Sequence, residues 1–245
     1  MSTISSNLHT VQEQVRQAAV HAKRSPESVA LIAVSKTQPA EAVKAAYSAG
    51  QRHFAENYVQ EAVSKVSALA DLDLCWHFIG RIQSNKARNI AEHFDWVHTV
   101  DRVKVARRLS VARQASHPNG PALNVCLQVN IDGDPAKAGL GADEIGSFAA
   151  ALESLPGIRC RGLMTILQQQ GEPEQSYARM ADLYQSLRPT FNWDTLSMGM
   201  SGDYAQAIAH GSTMVRIGTA IFGPRRNGPG IQNSILVKGS QARSN

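Results

Sequence analysis

The chain has 245 residues, 43% of them hydrophobic and 18% charged, a globular composition long enough for one full domain or two small ones. Its 25 basic and 20 acidic residues leave a formal charge of +5, and because Lys and Arg are scattered, nucleic-acid binding gains little support while a small anionic ligand fits well. No apolar stretch approaches the ~18 residues of a membrane span, the opening MSTISSNLHT lacks a basic n-region and an apolar h-region, and Cys75, Cys126 and Cys160 sit in apolar runs without metal-ligand spacing. A soluble, cytoplasmic chain with reduced core thiols is expected.

Residues 4–23 read as a helix that ends at RSPES. Eight short apolar runs then alternate with helix-period segments: 29–36, 51–57, 74–80, 95–101, 123–131, 158–167, 194–201 and 214–223. The segment PAEAVKAAYSAG shows the helical period, with Ala42, Val43, Ala46 and Tyr47 on one face, Pro39 in the first turn and Gly50 as C-cap. Alternation of this kind gives parallel βαβ units, and nearly continuous apolar strands imply a sheet covered on both faces. Eight such units in ~250 residues predict a closed (β/α)8 barrel, with a doubly wound open sheet as the alternative. The predicted organisation is an N-terminal helix (1–24) packing on the barrel, the barrel itself (25–224), and a flexible tail (225–245).

In a barrel of this type, polar residues at the C-terminal strand ends build the active face. Lys36, Asn57, His77 with Gly80, Asn130, Thr165, Ser197–Ser201 and Gly218-Thr219 all fall there. Ser201-Gly202-Asp203 closes strand 7 and is expected to open a helix with free N–H groups, while Gly218-Thr219 offers two more amides and a hydroxyl. The loops after strands 7 and 8 are the recurring phosphate site of such barrels. Either cluster alone would read as caps and turns; together, on adjacent strands, they read as a phosphate cradle.

Arg216 precedes Gly218 by two residues and shares its face, one layer deeper. The bland reading is a buried salt bridge to Asp101 or Glu56; the functional one is donation to an acceptor atom of a bound ring. Lys36 is in phase with Ile32 and Val34 and so points inward, beside strand 8 once the barrel closes. An amine in a low-dielectric interior next to a cation loses its proton more easily, the condition for imine formation. Phosphate cradle, ring-facing arginine and imine-competent lysine together suggest pyridoxal 5'-phosphate (PLP) as cofactor. Arginine opposite the pyridine nitrogen would leave it unprotonated and the ring weak for carbanion chemistry.

The stretches AVSKTQPAEAVKAAYSAGQRHFAENYVQE, WHFIGRIQSNKAR and LSMGMSGDYAQAIAHGSTMVRIGTAIFG resemble the YggS/PROSC family of pyridoxal phosphate homeostasis proteins, over about Leu31 to Gly223. The resemblance implies an alanine-racemase-like, fold-type III barrel with no C-terminal β-domain, and PLP held as a covalent Schiff base on Lys36. By motif position it implies Arg216 facing the pyridine nitrogen, Gly218, Thr219 and Ser201 on the phosphate, and Asn57, His77 and Gly80 around the ring. The chain departs from the family at Ala55, where glycine is usual, at Gly202, where a polar residue is commoner, and at Thr165 and Leu167, where Ala and Pro are usual.

Two functions follow. The first is a non-catalytic holder that buffers PLP or delivers it to apo-forms of PLP-dependent enzymes, acting as a monomer with no nucleic-acid or membrane partner. The second is an amino-acid racemase or related enzyme. Barrel racemases add a β-domain and a partner's tyrosine, for which this chain has no room after Gly223; of its own tyrosines, Tyr58 and Tyr204 follow active-face strands and are expected to pack or lie at the surface. A Schiff-base aldolase would share the lysine and the phosphate loops and lack the buried arginine. The remaining histidines, His53 and His98 among them, show no paired metal spacing, so no metal is expected, and Lys137 reads as a solvated loop lysine.

Overall fold

The computed structural model describes residues 3–167 and 171–224; the tail expected at 225–245 lies outside them. Helix α1 (Ile4–His21) buries Leu8, Val11, Val15 and Ala19, an i, i+3, i+4 stripe. It ends two residues short of the expected 23 because Lys23 takes a left-handed φ of +58° and the Arg24 N–H returns to the Ala19 carbonyl at 2.9 Å.

Eight strands follow: β1 (Ala30–Val34), β2 (His53–Glu56), β3 (Cys75–Phe78), β4 (Trp96–Val100), β5 (Leu123–Val129), β6 (Ile158–Thr165), β7 (Thr195–Ser197) and β8 (Met214–Ile217). Each lies inside one of the apolar runs. They pair in parallel, in sequence order, and close between β8 and β1 with Ile32 opposite Arg216. This is the barrel, not the open sheet. Between them run α2 (Ala40–Ser48), α3 (Val59–Ala68), α4 (Ala87–His93), α5 (Val103–Ser116), α6 (Ile145–Glu153), α7 (Pro173–Phe191) and α8 (Tyr204–Ala209), and α9 (Thr219–Phe222) follows β8.

Strand alternation sorts side chains into two layers. Phe54, Phe78, Val97, Leu127, Leu163 and Val215 face the helices and join the large core. The barrel interior holds only small apolar clusters, Ile32, Val34 and Ala55 on one side and Trp96, Cys126 and Met164 on the other. The rest of its volume is polar: His77, His98, Ser197 and Arg216 are all buried. Buried polar groups need partners, and the pattern of those partners defines the site. No described helix is long and apolar enough to cross a membrane.

Candidate functional site

A cavity of about 260 Å3 opens at the C-terminal mouth, lined by Lys36, Asn57, Ser201, Arg216, Gly218 and Thr219 together with Val34, Ile79 and Ile166. That is near the lower end of ligand cavities (roughly 300–1,000 Å3), a size for one substituted ring and not for a dinucleotide.

Lys36 is the second residue past β1, and the backbone on either side of it is fastened. The Ser35 hydroxyl donates to Glu56 Oε1 at 2.6 Å, and the Ser35 carbonyl accepts from Lys65 Nζ at 2.9 Å. Thr37 takes φ +62°, uncommon for a β-branched residue, and its N–H donates to Glu61 Oε1 at 2.6 Å. Backbone in this region costs about 1–3 kcal/mol and persists only where its surroundings over-determine it. Here Lys65 does so, spanning Glu56 (2.6 Å) and Glu61 (3.1 Å) while itself buried. Burial pushes the Glu56 carboxyl up from its ordinary value, and the Lys65 charge opposes that shift. This ion cluster between β2 and α3 escaped the sequence reading; its only trace was Glu56 ending an apolar strand ahead of a helix with Glu61 and Lys65 at i, i+4.

Arg216 is 4% exposed. Its Nη1 donates to Ser197 Oγ at 2.7 Å and its Nη2 to the Thr165 carbonyl at 2.9 Å. The salt bridge to Asp101 or Glu56 of the bland reading is absent among the described residues: Asp101 pairs with Arg102 at 2.9 Å and Glu56 with Lys65. Both of the guanidinium's partners are neutral. Burial pushes its pKa down, yet guanidinium keeps its proton in proteins.

Beyond Ser197 the hydrogen bonds continue down the barrel. His98 Nδ1 lies 2.9 Å from Ser197 Oγ, His77 Nδ1 2.9 Å from His98 Nε2, and His53 Nδ1 3.0 Å from His77 Nε2. With the proton of His98 and of His77 on Nε2, the chain runs Arg216 → Ser197 → His98 → His77 → His53 and each of these four links has one donor and one acceptor. Burial is the main cause holding both inner imidazoles neutral, His98 down to about 3 and His77 well below its ordinary value. His77, expected at the ring, thus sits beneath the cavity in this chain and is not among the residues lining it. Gly80 is also outside the lining: a Cβ there would stand 2.1 Å from the Asn57 carbonyl oxygen, so its bare backbone lets Asn57 pass and sets where Asn57 lies.

The opposite wall is backbone. A Cβ at Gly218 would stand 2.9 Å from the Val34 carbonyl oxygen, so glycine allows β8 to approach the end of β1. Thr219 begins α9, whose first N–H groups have no intrahelical acceptor. Strand β7 delivers Ser201 on a turn fixed by Asp203, whose carboxylate accepts the Met200 N–H at 2.6 Å. The helix here starts at Tyr204, with Asp203 as its cap residue, later than the expected opening at Ser201. Tyr177, also unforeseen, is buried with its hydroxyl bonded to Asp203. Lys137, read as a solvated loop residue, reaches the rim and donates to the Ile166 carbonyl at 3.2 Å.

Asn57 lines this cavity, and its Oδ1 is buried with no hydrogen-bond partner among the described residues. A buried acceptor without a partner calls for a donor, and a small movement of the Asn57 side chain would turn its oxygen to a ligand. The cavity therefore carries an amine, a buried cation with spare N–H groups and open backbone amides, with the unmet amide oxygen of a lining residue behind its surface.

The chain matches the family of the alanine racemase N-terminal domain over residues 6–226. It is 52% identical over 229 residues to a pyridoxal phosphate homeostasis protein of Pseudomonas aeruginosa, covering 93% of this chain and 98% of that one. The protein of the same name from Escherichia coli K12 is 47% identical over 236 residues, with coverages of 92% and 98%. Among solved structures, PipY of Synechococcus elongatus with PLP bound is similar with a TM-score of 0.78 and 38% identity, covering 90% of this chain and 100% of that one. Alanine racemase of Corynebacterium glutamicum shares the fold with a TM-score of 0.64 at 16% identity, and the match covers 61% of its length.

Proposed function

The chain belongs to the family of pyridoxal phosphate homeostasis proteins, and from that premise we propose that it binds PLP reversibly at the β8–β1 mouth and buffers or delivers it in the cytoplasm, without sustained catalysis. The observation that carries this reading is Arg216: a buried guanidinium whose hydrogen-bond partners among the described residues are both neutral, lining a cavity that also holds Lys36 and the Gly218-Thr219 backbone.

Bound there, PLP supplies an aldehyde that condenses with an amine and a ring that withdraws electrons. Lys36 is the amine to which the cofactor would be linked. The amides at Gly218 and Thr219, with the Thr219 and Ser201 hydroxyls, would hold the phosphate. Arg216 would donate an N–H to the pyridine nitrogen, and because it keeps its own proton that nitrogen stays unprotonated. The side chain of Asn57 would meet the polar edge of the ring. His98 and His77 touch no ligand in this scheme; through Ser197 they position Arg216. An unprotonated ring is a poor electron sink, which favours holding over turnover.

The test is a transfer assay on the PLP-loaded chain. Incubated with an apo-form of a PLP-dependent enzyme, it should restore that enzyme's activity, while racemisation of free amino acids by the loaded chain alone stays at background. Multiple turnovers of racemisation would instead establish the enzyme reading.

A further inference from the structure

At the end of the barrel opposite the cavity, β2 and β3 begin side by side with His53 and Cys75 as direct Cα partners. His77, two residues beyond Cys75, shares its face. His77 Nε2 lies 3.0 Å from His53 Nδ1 and 3.4 Å from Cys75 Sγ, and the three donor atoms are within 4.8 Å of one another. Around a tetrahedral zinc ion, with Zn–N of about 2.0–2.1 Å and Zn–S of about 2.3 Å, neighbouring donor atoms stand roughly 3.3–3.6 Å apart. We propose that His53, Cys75 and His77 form a metal site, at the other end of the barrel from the PLP cavity and joined to it only through the His98–Ser197–Arg216 hydrogen bonds, that takes a borderline-soft divalent cation of the zinc type with a fourth position left to solvent.

Three features favour a cation here. Two imidazoles and a thiolate are a donor set suited to zinc and unsuited to magnesium or calcium. The second nitrogen of His77 is already engaged by His98 at 2.9 Å, the outer hydrogen bond that orients a metal-bound histidine. Asp95 lies beside both His53 and Cys75, and Asp73 beside Cys75, adding negative charge. Asp95 is fixed in place by the Trp76 N–H at 2.8 Å. Access is open, since His53 and Cys75 are only partly buried.

On binding, the Cys75 S–H bond is replaced by a sulfur–metal bond and one proton leaves to solvent. Ligation through His77 Nε2 places that ring's proton on Nδ1, where it donates to His98 Nε2, and the His98 proton moves to Nδ1, where it donates to Ser197 Oγ. The sequence reading missed the site because the three residues have no recognisable linear spacing; only the pairing of β2 with β3 gathers them.

The untagged, metal-stripped full chain is titrated with Co2+ and then Zn2+, and difference spectra are recorded against the cobalt-free protein. One equivalent of cobalt should give visible ligand-field bands and a near-ultraviolet sulfur-to-cobalt charge-transfer band, both removed by zinc. Cys75→Ser should abolish the charge-transfer band and His53→Gln should weaken zinc binding by about tenfold or more. No charge-transfer band in the unsubstituted chain overturns the proposal, whatever the variants do. A band that survives in Cys75→Ser also overturns it, because the sulfur would then be Cys126 or Cys160.

Discussion

A buried guanidinium whose hydrogen-bond partners are neutral keeps N–H groups for a ligand, and this determines what Arg216 offers. Ser197 and Thr165 orient the fork, and the Asp203 carboxylate acts on its charge without a hydrogen bond to it. Replacing Arg216 by Leu should therefore weaken PLP binding by ~10–100-fold, the worth of one charge-assisted hydrogen bond of ~1.5–3 kcal/mol. Absorbance titration with PLP checks this, and unchanged affinity would contradict the assignment. That Arg216 faces inward was legible from its phase with Gly218. Its protein partners were not, because the only ones the sequence suggested were the opposite charges Asp101 and Glu56, as the alternative to a ring-facing role. Strand alternation argues against Glu56: Ala55 lies in the barrel interior, so Glu56 points to the helices, where Lys65 meets it. Ser197 and Thr165 lie instead on β7 and β6, the two strands before β8 around the barrel.

At the scale of elements, the eight strands were legible because a parallel sheet buried on both faces leaves almost unbroken apolar runs. Their C-terminal limits were less so. The run 194–201 contains only the three residues of β7, since Ser201 already belongs to the turn closed by Asp203, and the run 214–223 gives way to α9 after Ile217. The ion cluster behind β1 and β2 was invisible, because α3 had first to be laid against the strand ends. Its role is directly measurable. Lys65→Met leaves the Glu56 carboxylate buried and unpaired, which should cost ~3–5 kcal/mol in urea unfolding. The double variant Glu56→Gln with Lys65→Met removes both charges and should recover much of that loss. A single variant as stable as the parent would show that the pair holds nothing in place.

Across the whole molecule, the barrel interior stores neutral histidines, and this fixes a pH dependence. His77 and His98 have folded pKa values below the ~6.5 of an unfolded chain, His98 at about 3. Between those values the unfolded state binds more protons. The stability they confer is thus complete above pH ~6.5 and falls as the pH drops, by up to ~1.4 kcal/mol per pH unit for each histidine. Urea midpoints at pH 7.5, 6 and 5 should decline steadily; equal midpoints at pH 7.5 and 5 would mean that these rings are not buried neutral. The same closure that buries the histidines brings β8 beside β1, and so sets Lys36 at the mouth that Arg216 and Gly218 also line. The central claim, that this mouth holds PLP on Lys36, is tested most directly by borohydride reduction of the PLP-loaded chain followed by peptide mass mapping, with Lys36→Ala alongside. A phosphopyridoxyl adduct confined to the Lys36 peptide and lost in the variant is the predicted result; no adduct, or label spread over surface lysines and unchanged in Lys36→Ala, would contradict it.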